Sequence, residues 1–340
     1  MISIDRPSSS NARSAIREVD PWKIPVLFYI FIIVLAVSGY FNPAFFKAAN
    51  LSNLLTQTAP LAIVVLGQMT VLLVRGIDLS VASTMATSAV IATAFHSSEN
   101  SMIPAIFVVC IGFGVLVGLV NGYLVVIRRV SPFLATLATM IVLQGVRFAY
   151  TGGSNSGTLP PGFREIGRGQ LLGIPYNGIA LLCLTILLGV LLARSTFGRR
   201  VHLIGNNPEG AALAGINVTA VTMACYVICS TLAASAGLML VGYVGLVDNW
   251  TGRGYELDSI VAAVMGGVAI SGGRGSVGGA LLGAAVLTTT FNLVVLLGLP
   301  AEVQHIIKGI VIIAAAAAYS GAQMKAALFS RRRANGKAMT

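Results

Sequence analysis

Residues 103–127 read Ile103-Pro-Ala-Ile-Phe-Val-Val-Cys-Ile-Gly-Phe-Gly-Val-Leu-Val-Gly-Leu-Val-Asn-Gly-Tyr-Leu-Val-Val-Ile127, without one acidic or basic side chain. A run of this length is long enough to cross a bilayer as a helix, which takes about 20 predominantly apolar residues. Similar runs recur along the 340-residue chain, which is 56% hydrophobic and only 10% charged. Soluble domains carry roughly 25% charged residues, so the sequence predicts an all-α polytopic membrane protein.

Ten apolar runs predict ten transmembrane helices. They occupy residues 25–41, 58–74, 79–96, 103–127, 132–151, 171–193, 219–247, 257–272, 277–298 and 302–321. The eighth run is short and rich in glycine, so a re-entrant segment is the alternative there. These runs divide the chain into a cytoplasmic N-terminal arm, a transmembrane domain and a basic cytoplasmic tail, at residues 1–24, 25–321 and 322–340.

The net charge of +11 is explained by membrane topology rather than by a nucleic-acid partner. The Lys and Arg residues collect at the ends of the apolar runs, where they determine topology and meet anionic headgroups of the lipid bilayer. With a cytoplasmic N-terminus, most of the 22 basic residues fall on the cytoplasmic side, as the positive-inside rule requires. Both termini are therefore expected inside.

The motifs of enzymes and of ion-coupled transporters are missing from the sequence. It has no G-x-x-x-x-G-K-S/T nucleotide-binding loop, no metal-binding H-E-x-x-H, and no acid in the middle of an apolar run. Proton and ion relays normally leave such buried acids. Gly273-Arg-Gly-Ser-Val-Gly278 matches a dinucleotide fingerprint but lacks the acid about 20 residues on, which favours a tight turn between two spans. We therefore expect a transport subunit without catalytic residues, metal or cofactor of its own.

Uncharged polar residues inside the apolar runs are candidates to line a translocation path. They are Ser83, Thr84, Thr87, Asn121, Thr136, Gln144, Thr288 and Asn292. Hydrogen bonding between packed helices is the alternative role for many of them. A path lined by hydroxyls and amides suits a neutral polyhydroxylated solute better than an ion.

Two similar hexapeptides point to an internal repeat. Arg75-Gly-Ile-Asp-Leu-Ser80 opens the third run, and Arg253-Gly-Tyr-Glu-Leu-Asp258 opens the eighth. Five spans separate them, so the two would lie on opposite membrane faces, as in the inverted repeats of many transporters. Ordinary helix-start signals are the alternative explanation.

The segment Gly205-Asn-Asn-Pro-Glu-Gly-Ala-Ala-Leu-Ala-Gly-Ile-Asn217 lies between two apolar runs and follows a basic cluster. An asparagine before Pro208 can cap a helix, Glu209 suits its first turn, and Gly215 can end it. We expect a short cytoplasmic helix over Pro208–Ala214. Its small, nearly uncharged surface fits a groove on a partner, with an ordinary connector helix as the alternative.

This segment resembles the cytoplasmic coupling segment of the ribose-type sugar ABC importer permeases (ribose, xylose, arabinose, galactoside), whose pattern is approximately G-x-N-P-x-A-A-x-x-S-G-I. Arg75–Ser80 is similar to the family's G-I-D-L-S. Residues 252–267 resemble its G-x-G-Y-E-L-D-A-I-A-A-x-x-x-G-G, and residues 272–279 its G-G-x-G-S-x-x-G. The resemblance covers about residues 25–321. Ala214 stands where the family usually has Ser.

The resemblance implies a permease in the bacterial inner membrane that works with three partners. These are an ATP-binding subunit that carries ATP and Mg²⁺, a periplasmic solute-binding protein, and a second permease copy as a homodimer or a paired homologue. It implies ATPase coupling by Gly205, Asn207, Pro208, Glu209, Ala211, Ala212, Gly215 and Ile216. It also implies a structural motif at Arg75, Asp78, Gly254, Tyr255, Glu256, Asp258, Gly273 and Gly275.

Two other functions remain open from the sequence. One is an ABC permease for another solute class, nucleosides or branched-chain amino acids, and the other is a secondary transporter or channel. The Gly-Tyr-Glu-Leu-Asp match favours the sugar branch.

Overall fold

The structure is a computed structural model that describes residues 23–154, 157–245, 249–300, 302–303, 306 and 309–310. The N-terminal arm up to residue 22, the basic tail at 322–340 and most of the tenth expected span at 302–321 lie outside the described residues.

Between residues 23 and 300 the described part of the chain has twelve α-helices, two short 3₁₀ helices (Pro43–Phe46 and Asn100–Met102) and one short hairpin. The helices are α1 Lys23–Phe41, α2 Ala48–Leu73, α3 Val81–Ala94, α4 Ile103–Gly122, α5 Pro132–Thr151, α6 Pro161–Arg168, α7 Tyr176–Arg194, α8 Thr196–Asn206, α9 Pro208–Leu213, α10 Val218–Val244, α11 Tyr255–Met265 and α12 Val277–Leu296. A π-helical turn, Tyr123–Ile127, extends α4. The antiparallel hairpin pairs β1 Gln170–Leu171 with β2 Ile174–Pro175.

Six helices in the described residues are long and apolar enough to cross a membrane, which confirms a polytopic helical membrane protein. They are α2, α4 with its flanking turns (Asn100–Ile127), α5, α7, α10 and α12. Helices α1 and α3 are apolar but shorter. The expected bounds differ at three places: α2 begins ten residues earlier than residue 58, the hairpin occupies the start of the run at 171–193, and α11 covers only 255–265 of the run at 257–272.

The structural reason for each difference is local. Residues 48–57 continue the helical pattern of α2 even though they are more polar than the run that follows. Gly173 has φ +81, which lets the chain reverse between β1 and β2 before α7 begins. Gly266 and Gly267 end α11, and Gly267 has φ +87, a conformation that a helix cannot continue through.

Helices α2 and α10 form the centre of the molecule, and the other long helices surround them. Most of their buried apolar side chains belong to one core cluster, which includes Leu66, Met69, Cys225, Tyr226 and Cys229. A helix that is apolar on all sides is stable only when it is surrounded by protein or lipid. Helices α5 and α7 instead expose most of their apolar side chains, a surface that suits hydrocarbon.

Close backbone packing of α4 on α10 depends on three glycines spaced four residues apart. A Cβ atom on Gly114 would lie 2.9 Å from the Ser230 carbonyl oxygen, one on Gly118 would overlap the backbone at Val227, and one on Gly122 would lie 2.9 Å from Met223 Cγ. Residues four apart share one helix face. Because lipid tails are as apolar as side chains, association of membrane helices depends on such close approach.

We expect Gly118→Leu to disrupt the α4–α10 contact. Overpacking in a core costs about 1–3 kcal/mol, and more where backbone must move, so the melting temperature in detergent should fall by about 2–4 °C in a chain of this length. Gly112→Leu is the matched control, because a Cβ on Gly112, in the same helix, meets nothing within 4 Å. Equal melting temperatures of the two variants in a thermal-shift assay would contradict this packing.

Candidate functional site

The expected short helix is present as α9, Pro208–Leu213, one residue shorter than the sequence suggested. The Asn207 side chain caps it by accepting a hydrogen bond from the Gly210 N–H at 3.0 Å. Beyond its end, Gly215 has φ +78, and the Ile216 N–H donates to the Ala211 carbonyl oxygen at 3.0 Å. These two terminal motifs make a helix of fewer than two turns locally stable.

One face of α9 is open to solvent and apolar. Ala211 is buried, while Glu209 and Ala212 are exposed and Leu213 is 91% exposed. A nearly fully exposed leucine on a short, capped helix is a surface that a partner can cover. Leu213 was absent from the sequence-based set because the family pattern leaves its position variable.

The segment before α9 is fixed to two other parts of the chain. The Gly273 N–H donates to the Leu73 carbonyl oxygen at 2.9 Å, and His202 Nδ1 lies 3.0 Å from the Gly273 carbonyl oxygen. Gly205 packs so closely here that a Cβ atom would overlap Leu73 and Gly273. The ends of α2 and α8 and the turn before α12 therefore meet directly beneath α9.

Arg75 adds a charged clamp at the same point. Its Nε donates to the Gly205 carbonyl oxygen and its Nη2 to the Asn206 carbonyl oxygen, both at 2.7 Å. These are carbonyls of the last residues of α8, which have no helical partner and carry the negative end of the helix dipole. The sequence motif at residue 75 and the coupling segment are thus in direct contact.

Residues 76–80, which follow Arg75, form a buried non-helical segment built around Asp78. Asp78 Oδ1 accepts from the N–H of Ser80 at 2.8 Å and from its hydroxyl at 2.6 Å. The Ser230 hydroxyl donates to Asp78 Oδ2 at 3.4 Å. With its amide oriented to satisfy both groups, Gln68 donates to the Asp78 carbonyl oxygen at 3.0 Å and accepts from its N–H at 3.2 Å.

Five of the eight path candidates gather where α3, α4 and α5 meet. They are Ser83, Thr84, Thr87, Asn121 and Thr136, all buried. Asn121 Nδ2 donates to the Ser80 hydroxyl at 2.9 Å, and the Thr139 hydroxyl donates to Asn121 Oδ1 at 2.7 Å. Thr136 Oγ1 accepts from the Leu79 N–H at 3.1 Å. We call Ser83, Thr84, Thr87, Asn121 and Thr136, together with Asp78 and Ser80, the polar cluster.

The other three path candidates lie apart from the polar cluster. The Thr288 hydroxyl on α12 lies 2.9 Å from the Thr58 hydroxyl on α2. Asn292 is one turn further along α12, and its Oδ1 is buried without a hydrogen-bond partner among the described residues. Gln144 is half-buried on α5.

Arg147 is a buried charged residue that the sequence reasoning did not select. Its Nη1 donates to the Ser83 carbonyl oxygen at 3.0 Å and to Thr87 Oγ1 at 3.1 Å, and its Nη2 donates to the Asn249 carbonyl oxygen at 3.1 Å. These bonds join α3, α5 and the segment after α10. The sequence did contain a signal for Arg147, which lies inside an otherwise apolar run. A charged side chain there is energetically costly and is usually functional.

The second motif forms the start of α11. Gly254 has φ +96, its N–H donates to Glu256 Oε2 at 2.9 Å, and Asp258 is buried. Tyr255 packs against the main core cluster. The glycine-rich run that follows is a turn between α11 and α12 with no strand before it, in which Gly273 has φ +75 and Gly275 lies close to Leu73.

Comparison with known proteins identifies relatives over most of the chain. The family model described as the permease component of the branched-chain amino acid transport system matches residues 50–316. The ribose import permease protein of Bacillus subtilis is 39% identical over 288 residues, which is 84% of this chain and 89% of the relative. The ribose import permease protein of Escherichia coli K12 is 34% identical over 84% of this chain and 89% of its own length. The galactose/methyl galactoside import permease protein of Haemophilus influenzae is 34% identical over 88% of this chain and 95% of its own length. No solved structure matches the chain.

We expect Asn207→Ala to loosen the first turn of α9, because an N-cap side chain contributes about 1 kcal/mol. Hydrogen–deuterium exchange of the amides at 209–211 should then be about fivefold faster, as that free energy implies. Asn207→Asp keeps the acceptor oxygen and should exchange as the wild type does. Unchanged exchange in Asn207→Ala would contradict the cap.

Proposed function

The chain belongs to the permease-component family of these transport systems, and we propose that it is the membrane-spanning permease of an ATP-driven ABC importer that carries a sugar or related neutral polyol into the cell. The observation that carries this proposal is the exposed α9 helix, clamped at its base to a segment that runs into a buried polar cluster. The chain has no nucleotide-binding loop of its own. The energy for transport then comes from a separate ATP-binding subunit, which holds ATP and Mg²⁺ and acts on α9.

The distribution of arginines supports a cytoplasmic location for α9. Most of the arginines that the structure describes lie at helix ends near α9 or at the helix ends next to those. They are Arg75, Arg128, Arg129, Arg194, Arg199, Arg200 and Arg274. By the positive-inside rule this face is cytoplasmic, and the opposite face meets a periplasmic solute-binding protein. The termini are cytoplasmic, the spans number about ten, and the permease pairs with a second copy or a homologue.

The lengths of α3 and α11 support an inverted repeat. They have 14 and 11 residues, or about 21 and 16 Å of helix at 1.5 Å per residue, less than the roughly 30 Å hydrocarbon core. The hexapeptide Arg75–Ser80 ends directly before α3, and the hexapeptide Arg253–Asp258 overlaps the first turn of α11. Arg75 lies beside residues 205–206, before α10, whereas Arg253 lies over the Trp250 ring, after α10. In transporters, broken helices at corresponding positions of the two halves mark the solute site. In such a repeat, α11 is a re-entrant helix.

A sugar is favoured over a branched-chain amino acid or a nucleoside by two considerations. The relatives with 34–39% identity are import permeases for ribose and for galactose or methyl galactoside. The polar cluster offers hydroxyls and amides, while Nη1 and Nη2 of Arg147 already donate to protein carbonyl and hydroxyl oxygens. An amino acid would need free partners for both of its charged groups.

Transport itself can be tested in proteoliposomes that hold the permease and its ATP-binding subunit, with the solute-binding protein outside. We expect uptake of labelled ribose or galactose only when ATP is supplied, with no competition from leucine or adenosine. Accumulation driven by a proton or sodium gradient without ATP would contradict the importer mechanism. Uptake of leucine or adenosine instead of a sugar would contradict the substrate class.

Docking on α9 can be tested with Leu213→Asp. A charge on an apolar contact residue should reduce co-purification of the ATP-binding subunit at least about tenfold, as for a residue central to an interface. Leu172→Asp is the matched control, because Leu172 is 96% exposed in the β1–β2 hairpin at the other end of α7. Retention of the subunit by Leu213→Asp at the control level would exclude α9 as the docking helix.

A further inference from the structure

Arg75 occupies a backbone position that normally belongs to glycine. It follows the end of α2 with φ +66; its N–H donates to the Leu72 carbonyl oxygen and the Gly76 N–H donates to the Val71 carbonyl oxygen, both at 2.9 Å. This is the pattern in which a helix ends on a left-handed residue, and glycine is the usual choice because it has no Cβ. A large side chain held in this strained conformation indicates that the side chain itself is required.

The side chain is required to hold the base of the coupling helix. Its two 2.7 Å hydrogen bonds reach the carbonyl oxygens of Gly205 and Asn206, and Asn207 then caps α9. Charge-assisted hydrogen bonds of this length are the strong ones in proteins. Gly272 leaves the space for the clamp, since a Cβ there would lie 2.5 Å from Arg75 Cγ.

The backbone of the same residue leads directly into the polar cluster. Within five residues the segment 76–80 bonds to Gln68 on α2, to Ser230 on α10, to Asn121 on α4 and to Thr136 on α5. The segment is therefore a junction of four helices. Gly76 is pressed against this junction as well, because a Cβ there would lie 2.5 Å from the Tyr226 hydroxyl.

The covalent connections of α9 are looser than this clamp. Toward α10 the chain passes through Gly215, where an added Cβ would meet nothing within 4 Å. Toward α7 it passes through α8 into a helix of which 22% of the most apolar stretch is buried, against 67% in α10. A displacement of α9 can therefore reach the polar cluster through the hydrogen bonds of Arg75 as well as along the chain to α7 and α10.

We propose that Arg75 is the positioning residue that transmits movement of α9 through residues 76–80 to the polar cluster. This rests on the proposed function, in which the ATP-binding subunit moves α9. The guanidinium keeps the end of α8 and the start of the 76–80 segment together as one body. Movement at the cytoplasmic face then changes the arrangement of α4, α5 and α10 around the path.

The test compares Arg75→Gln and Arg75→Lys in the complete importer in proteoliposomes. Three quantities are measured: co-purification of the ATP-binding subunit, basal ATP hydrolysis, and solute taken up per ATP hydrolysed with the loaded binding protein present. We expect Arg75→Gln to keep the first two within about twofold and to lower uptake per ATP at least tenfold. Arg75→Lys, which keeps the charge but not the two-pronged geometry, should fall between. Arg128→Gln is the matched control, because Arg128 is an exposed arginine at another helix end.

A double-mutant cycle tests whether Arg75 acts through the segment. Ser80→Ala removes the hydroxyl that joins Asp78 to Asn121. If both residues serve one route, the double variant Arg75→Gln/Ser80→Ala should lose little more uptake per ATP than Arg75→Gln alone. Fully multiplicative losses would overturn the route through residue 80.

Wild-type uptake per ATP in both Arg75 variants would overturn this inference while leaving the proposed function intact. If Arg75→Gln does not assemble, Arg75→Lys decides: normal coupling overturns the inference, and reduced coupling with normal basal hydrolysis supports it. Failure of the wild-type complex to import with ATP would instead overturn the proposed function.

Discussion

Non-helical backbone inside a helical membrane protein has to satisfy its hydrogen bonds within the protein, and the structure is arranged around this constraint. Residues 74–80 form the non-helical connection between α2 and α3. Their polar groups bond to the end of α2, to Gln68 and Thr136, and to the Asp78 carboxylate. Such a segment needs neighbours on every side, and the packing of α4 and α10 around it supplies them.

The same constraint connects the structural core with the proposed translocation path. The hydroxyls and amides that satisfy the broken segment are also the polar groups that we propose for the path. Asp78 is the one acid in this group, and its carboxylate is occupied by Ser80 and Ser230. A buried carboxylate that accepts hydrogen bonds from its neighbours orders the backbone around it, and Asp78 holds the segment in this way through Ser80 and Ser230.

The coupling site could be predicted from the sequence more fully than the path. The bounds of α9 follow from local chemistry, because Asn207, Pro208 and Gly215 act on their immediate neighbours. The path candidates were chosen as polar residues in apolar runs, a criterion without information on which helix faces which. Five of the eight meet in one cluster, whereas Thr288 and Asn292 lie on α12, away from it. Arg147 was overlooked, although a charge in an apolar run was visible.

The sequence by itself determined the membrane-spanning class and the capped helix α9, because apolar length and capping residues act over a few turns of chain. Only the tertiary structure decided that Arg75 clamps residues 205–206 and that α2 and α10 form the centre. Those features depend on contacts between residues more than one hundred positions apart. Such contacts arise where glycines and small side chains let particular backbones approach, a property of helix pairs rather than of any single segment.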